Sequence, residues 1–291
     1  MLPTTTKRTL ILADIGLFYA AAIWGATFFL VKDALGGINP ATMVAYRFLL
    51  AGVILLVYLL ATRRPILPGI GRSAFLALIL YALYMSQTIG LGITTASNSG
   101  FITGLFVAFI PIFLRTLFKR KPTILEVVAS AVALVGLWIL TGGMSKVNAG
   151  DALTLIAAMT YALHLLYVDK YVKEGADPYV ISCQQFLLVG IGSLLTCVAF
   201  RLPFAVGSRE VAGTVVFLAL FPTLSAFLIQ MVAQKIRSPL RVSLIFALEP
   251  LFAAIFAWTL GGEQFMVSGA VGGLFIISAL VISGLPSRPI K

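Results

Sequence analysis

The sequence predicts an all-α integral membrane protein whose ten transmembrane helices form two inverted five-helix repeats, with the N- and C-termini cytoplasmic. Three observations lead there. Of the 291 residues, 60% are hydrophobic and only 11% charged. The chain divides into apolar runs of spanning length, and its cations crowd onto alternate connections. A soluble domain carries about a quarter charged residues, and no water-soluble fold of this size could hide so much apolar surface. Lipid is therefore the expected solvent.

A spanning helix needs roughly 20 mostly apolar residues. Lys7 and Arg8 precede an apolar run that continues to about Val31, too long for a signal-peptide core and read as a first span over 12–32. Further spans are predicted over 41–62, 73–93, 97–118, 124–141, 150–171, 178–200, 211–233, 239–260 and 264–284. Gly36-Gly37 with Pro40, Arg63-Arg64-Pro65, Lys121-Pro122, Gly142-Gly143, Asp177-Pro178, Ser238-Pro239 and Gly261-Gly262 punctuate them. The short connections leave no room for an attached soluble domain. Cys183 and Cys197 share one span, about 21 Å apart along a helix, beyond disulfide reach.

The cations set the orientation. One set of alternate connections holds sixteen of the 21 Lys and Arg, among them Lys7, Arg8, Arg63, Arg64, Lys119, Arg120, Lys121, Arg288 and Lys291. The other set holds four, Lys32, Lys146, Arg201 and Arg209, while Arg47 lies inside a span. This positive-inside bias puts both termini in the cytoplasm of a cell with the protein in its inner membrane. It also accounts for the net charge of +11 without a nucleic-acid partner.

Folded at about Gly143, the two halves echo each other, giving repeats over 1–143 and 144–291. Asp14 to Trp24 maps onto Asp151 to Tyr161, and Pro40 to Leu50, with Arg47, onto Pro178 to Leu188, with Gln185. Phe109-Ile-Pro111 maps onto Leu248-Glu249-Pro250. Five spans per half is an odd number, so the second copy inserts upside down. Inverted repeats with helix-interrupting residues near the midplane mark alternating-access carriers.

Several stretches resemble a known family. Trp24-Gly25-Ala-Thr-Phe-Phe-Leu-Val-Lys32, Tyr46-Arg47-Phe48-Leu-Leu-Ala51, Ala247-Leu248-Glu249-Pro250 and Leu260-Gly-Gly-Glu263 are similar, in order and spacing, to the ten-span EamA-type permeases of the drug/metabolite transporter superfamily. The finer resemblance is to aromatic amino acid exporters of the YddG type, and it implies outward transport. Tyr161 and His164 stand where many relatives repeat a Trp-Gly, a departure that bears on substrate preference rather than on fold.

Candidate residues follow from polarity at depth. Glu249 lies about 15 Å into span 9, where an ionised group is costly and marks function or a hydrogen-bonded cap over backbone freed by Pro250. His164, the only histidine, shares a face with Tyr161 and can exchange a proton or bond a carboxylate. Arg47 could attract an anion, or snorkel outward to a loop acid, which would make it structural or gating. Trp24 and Phe28 sit one turn apart, as do Tyr81 and Tyr84; mid-span aromatics suit either packing or a cavity for a flat apolar side chain. Thr223, Phe227, Gln230 and Gln234 form a polar stripe on span 8 that cannot face lipid. Asn98 opens span 4 near the outer surface.

Substrate-binding candidates are therefore Trp24, Phe28, Tyr81, Tyr84, Asn98, Tyr161, His164, Gln230 and Phe246, with Arg47, Pro111, Glu249 and Pro250 as gating or coupling candidates. His164, Gln230, Asn98 and the Pro-interrupted spans 4 and 9 would hold a zwitterionic head group by their dipoles. No phosphate loop, His-Glu-x-x-His or Cys-x-x-Cys is present, so no catalytic residue, metal or cofactor is expected, and one deep acid with one histidine makes a poor enzyme. The partners expected are a small-molecule substrate and the bilayer; a monomer is compatible with this reading. The expected function is secondary export of small neutral metabolites, aromatic or other apolar amino acids foremost. Efflux of drugs or organic cations and a non-transporting membrane protein are the alternatives.

Overall fold

Where an apolar run follows Ser, Thr, Asn or Asp, that side chain meets the first free N–H groups and a helix begins. The computed structural model describes residues 6–143, 147–259 and 264–285. Lys146, Gly261-Gly262, Glu263, Arg288 and Lys291, used above for charge placement, punctuation and family motif, lie outside the described residues. Thr6 caps α1 (Lys7–Ala34) and Asn39 caps α2 (Pro40–Ala61), while α3 (Ile70–Ile93) starts at Gly69 in the left-handed region. Thr95 caps α4 (Ala96–Gly104), which leads into α5 (Phe106–Thr116). Thr123 with Glu126, and Asn148 with Asp151, close reciprocal capping boxes on α6 (Ile124–Thr141) and α7 (Ala149–Lys173). Asp177 caps α8 (Pro178–Ala199) and Ser208 caps α9 (Arg209–Leu218). A π segment (Ala219–Ser225) joins α9 to α10 (Ala226–Gln234). Ser238 caps α11 (Pro239–Phe246), followed by α12 (Glu249–Thr259) and α13 (Val267–Ser283).

Among the described residues the protein is all helix, without a strand; nine stretches are long and apolar enough to cross a membrane, and Val267–Ser283 is shorter. Three expected spans are interrupted. Pro111 was expected to break span 4, but α5 runs through it and the break falls at Leu105. There the backbone tightens, with Leu105 N bonded to Ile102 O and Ala108 N to Leu105 O, just ahead of the carbonyl that the proline leaves without a donor. In span 9 the break is at Ala247 and Leu248, and Pro250 sits in the first turn of α12, where a missing N–H costs little. Span 8 carries the π segment around Pro222.

Helices of the first half pack chiefly on helices of the second: α6 on α13, α2 on α8, α3 on α7 and α8, and α1 on α10 and α12. The α2–α8 contact is reciprocal. A Cβ on Gly52 would sit 3.0 Å from the Leu187 backbone N, and one on Gly190 would sit 2.8 Å from the Leu49 backbone N. Arg63 and Arg201, just past α2 and α8, both take φ of 52°. Small residues let these helices approach closely, as expected where lipid supplies no hydrophobic drive between helices. Outside, large apolar side chains such as Phe29, Leu78, Leu195 and Val281 are exposed, a coat that water would not tolerate.

Substituting Gly190→Leu should push α2 and α8 apart and cost roughly 1–3 kcal/mol, read as a lower thermal midpoint in detergent. Gly100→Ala inside α4, whose Cβ meets nothing within 4 Å, should hold or raise that midpoint; an equal loss in both would refute the packing argument.

Candidate functional site

Helices from both halves turn side chains into one small central cavity. Trp24, Thr27 and Phe28 come from α1, and Leu83, Tyr84 and Gln87 from α3. Thr103 of α4, Tyr161 of α7, Phe227 of α10 and Glu249 of α12 complete the wall. The cavity measures about 30 Å³, room for one or two waters, so in this conformation it is pinched almost shut. Aromatic contacts do the pinching. Trp24 meets Phe246, Phe227 and Tyr161 edge-on, with centroids 4.8, 5.2 and 6.3 Å away, and Phe106 stacks on Tyr161 at 4.4 Å. Edge-on rings hold one another with modest energy; Phe227, Phe246 and Phe106 carry no polar group, whereas Trp24 and Tyr161 are each tethered by a hydrogen bond.

The π segment explains why Trp24 points inward. Around Pro222 the regular ladder is lost and carbonyls are freed. The Trp24 indole donates to Pro222 O at 2.7 Å, and Thr223 Oγ1 donates to Leu218 O at 2.8 Å. Arg47 Nε donates to that same Thr223 oxygen at 2.5 Å, and Nη2 to the Tyr84 hydroxyl at 3.3 Å, with the guanidinium 4.7 Å from the Tyr84 ring centroid. Of the two alternatives for Arg47, an anion site or an outward reach to a loop acid, the outward reach is not what the structure has. The stem of Arg47 runs inward between α3 and the π segment, where neutral oxygens already await it, and it is only 4% exposed. Glu249 opens α12, and Tyr161 OH donates to its Oε1 at 3.1 Å.

Of the expected site residues, Trp24, Phe28, Tyr84, Tyr161 and Glu249 line the cavity together, and Phe246 backs Trp24. The others lie elsewhere. Tyr81 is turned away to α8 and shares a hydrogen bond with Thr196 Oγ1 at 2.6 Å, because three residues of helix rotate it from Tyr84 by about 60°. Asn98 donates to Asp151 Oδ1 at 3.3 Å beside the start of α7. His164 bonds Gln185 at 2.9 Å and Gln230 donates to Gln234 at 2.9 Å; neither lines the cavity, and the His164 ring meets that of Phe227 with centroids 6.0 Å apart. Pro111 and Pro250 shape helices rather than the wall. Thr27, Gln87 and Thr103 were not singled out from the sequence. Gln87, one turn beyond Tyr84 and bonded to Thr103 at 3.1 Å, could have been found by extending the Tyr84 face. Pro222, a proline within an apolar run, was a legible signal for the irregular backbone. Among the described residues no three of His, Cys, Asp and Glu come together as metal ligands would.

The two ends of the bundle are closed by different chemistry. Where α1 begins, Asp14 pairs with Arg237 and, at 3.3 Å, with Arg241. Arg241 Nη1 donates to Leu280 O at 2.9 Å, and Lys173 to Arg237 O at 3.1 Å, so one clasp ties α1, α7, α11 and α13. At the opposite end Asp151 accepts from Thr94 at 2.5 Å and from Asn98. Lys32 there caps the end of α3 through Leu91 O and Thr94 O at 2.7 and 2.8 Å.

A helical bundle with an apolar exterior around a small aromatic and polar cavity is the build of a multi-pass membrane transporter. The chain belongs to the EamA-like transporter family, which it matches over residues 11–142 and again over 148–285. It is 29% identical to an uncharacterized transporter of Archaeoglobus fulgidus, over 94% of this chain and 86% of that one. It is 26% identical to the uncharacterized inner membrane transporter YedA of Escherichia coli K12, over 94% and 92%, and 25% identical to the uncharacterized transporter YyaM of Bacillus subtilis, over 91% of each. A crystal structure 17% identical in sequence superposes with a TM-score of 0.80 over 94% of this chain and 96% of its own, a likeness of fold.

Asp14→Asn would leave two partly buried arginines without their carboxylate and should cost about 1–3 kcal/mol. Glu174→Gln, which loses one exposed partner, Arg72 at 3.1 Å, should cost at most about 0.5 kcal/mol. Thermal midpoints of the two variants in detergent compare them directly, and the reverse ranking would contradict the clasp.

Proposed function

We infer that the chain is a secondary carrier that exports small neutral metabolites, aromatic or other apolar amino acids foremost, across the inner membrane by alternating access. Its ten spans form two five-helix repeats, 1–143 and 144–291, inserted in opposite senses with both termini cytoplasmic. The observation that carries this reading is the central cavity walled by Trp24, Phe28, Tyr84 and Tyr161 and drawn from both halves. Flat apolar side chains bind well among such rings, and a cavity shared by two repeats is where an alternating-access site lies. Further support comes from pairs that respect the repeat: α1 with α10 mirrors α3 with α7, α2 meets α8, and α6 meets α13. The double family match and the positive-inside bias agree with it.

A cavity of about 30 Å³ cannot hold an amino acid, so the cycle requires the aromatic cluster to part. The charged clasp at Asp14 would seal the cytoplasmic end and the neutral cluster at Asp151 the outer end, each opening in turn. The rival reading, efflux of organic cations, is favoured by Glu249, a carboxylate at the cavity wall.

In proteoliposomes the purified protein should show saturable counterflow of radiolabelled phenylalanine. Trp24→Ala, which removes the ring at the centre of the cluster, should weaken substrate affinity about tenfold or more. Uptake of tetraphenylphosphonium that Glu249→Gln abolishes, without amino acid counterflow, would establish the rival instead.

A further inference from the structure

Arg47 brings a full positive charge into the interior of the bundle, and no carboxylate answers it: among the described residues it makes no ion pair. Its partners, the Thr223 and Tyr84 hydroxyls, are neutral. A guanidinium carries five donors arranged to grip a carboxylate in a two-pronged fashion, and two hydroxyls use only part of that capacity. A charge buried without its counterion is costly in a membrane protein and marks a functional group.

Its placement says what the counterion is. Tyr84 stands between Arg47 and the cavity: its ring lies over the guanidinium on one side and lines the cavity on the other. Glu249 also lines the cavity, and its oxygen is held by Tyr161. The cavity thus has a cation behind one tyrosine and a carboxylate beside another, with aromatic rings between them. Resting on the carrier reading above, we propose that Arg47 is the specificity-determining residue for the substrate's carboxylate and Glu249 the partner of its ammonium, so that the site selects zwitterionic α-amino acids. Swinging the Tyr84 ring aside exposes the guanidinium, and the substrate carboxylate takes the place of the tyrosine hydroxyl. A charged acceptor then replaces a neutral one, and its two oxygens can meet the guanidinium with two parallel bonds. An organic cation meets the charge of Arg47, and a plain carboxylate meets Glu249; only a molecule carrying both charges satisfies both.

The test is counterflow in proteoliposomes with three probes of like ring and differing head group: phenylalanine, phenethylamine and 3-phenylpropionate. Wild-type protein should prefer phenylalanine over either analogue by about tenfold or more, the scale of one charge-assisted bond. Arg47→Gln should lose that preference over phenethylamine, Arg47→Lys should recover part of it, and Glu249→Gln should gain 3-phenylpropionate. Thermal stabilisation of each detergent-purified variant by the three probes reads binding apart from turnover. An Arg47→Gln protein that folds and still prefers phenylalanine as wild type does overturns the proposal. So does one that loses all three probes alike, which would make Arg47 structural. Should Arg47→Gln fail to fold, an unchanged probe preference in Glu249→Gln overturns it equally. A wild-type protein that moves none of the three defeats the amino acid reading itself, a result distinct from loss of discrimination alone.

Discussion

In hydrocarbon every backbone N–H and C=O has to be paired within the protein, and this requirement shapes the molecule from its helix ends to its cavity. Most of the chain obeys it through unbroken helices. Breaks occur at Leu105, across Ala219–Ser225 and at Ala247–Leu248; Ala247, Leu248, Pro222 and Thr223 are buried among neighbouring helices, while Phe221 of the π segment is exposed on the outside. Around Pro222 the freed carbonyls are met by the Trp24 indole and the Thr223 hydroxyl. Satisfying the backbone and building the aromatic wall are therefore one event: the bond that holds Trp24 also aims its ring into the cavity.

The same economy governs the buried charges. Arg47 is accommodated by a hydroxyl that is itself committed to the π segment, and Glu249 by a tyrosine one helix away. Neither charge touches lipid. Close packing at Gly52 and Gly190 locks α2 to α8, giving Arg47 a rigid base on α2 behind the Tyr84 ring that lines the cavity.

The two ends differ in strength. Asp14 engages two arginines, whereas Asp151 engages Thr94 and Asn98 and its own capping box. The bundle thus has ionic bonding at one end and neutral partners at the other. In the proposed cycle this makes the two closures unequal, and it offers a physical basis for bias between the two faces of the membrane.

Much of this was legible in the chain. Composition and the length of the apolar runs specify a helical membrane protein, because the cost of burying backbone in lipid depends on local sequence alone. Capping residues Asn39, Thr123, Asn148, Asp177 and Ser238 mark helix starts for the same reason. Trp24, Tyr84, Tyr161 and Glu249 could be singled out because a polar or aromatic group at depth has to find a partner. Which partner it finds was settled only in three dimensions. Tyr81 and Tyr84 read alike in sequence yet face different helices, and Asn98, His164 and Gln230 are taken up by neighbours outside the cavity. Arg47 turns inward because oxygens from two distant segments, Tyr84 and Thr223, converge on it. A single chain records which residues are costly to bury; the packing of helices far apart in sequence decides how each cost is met.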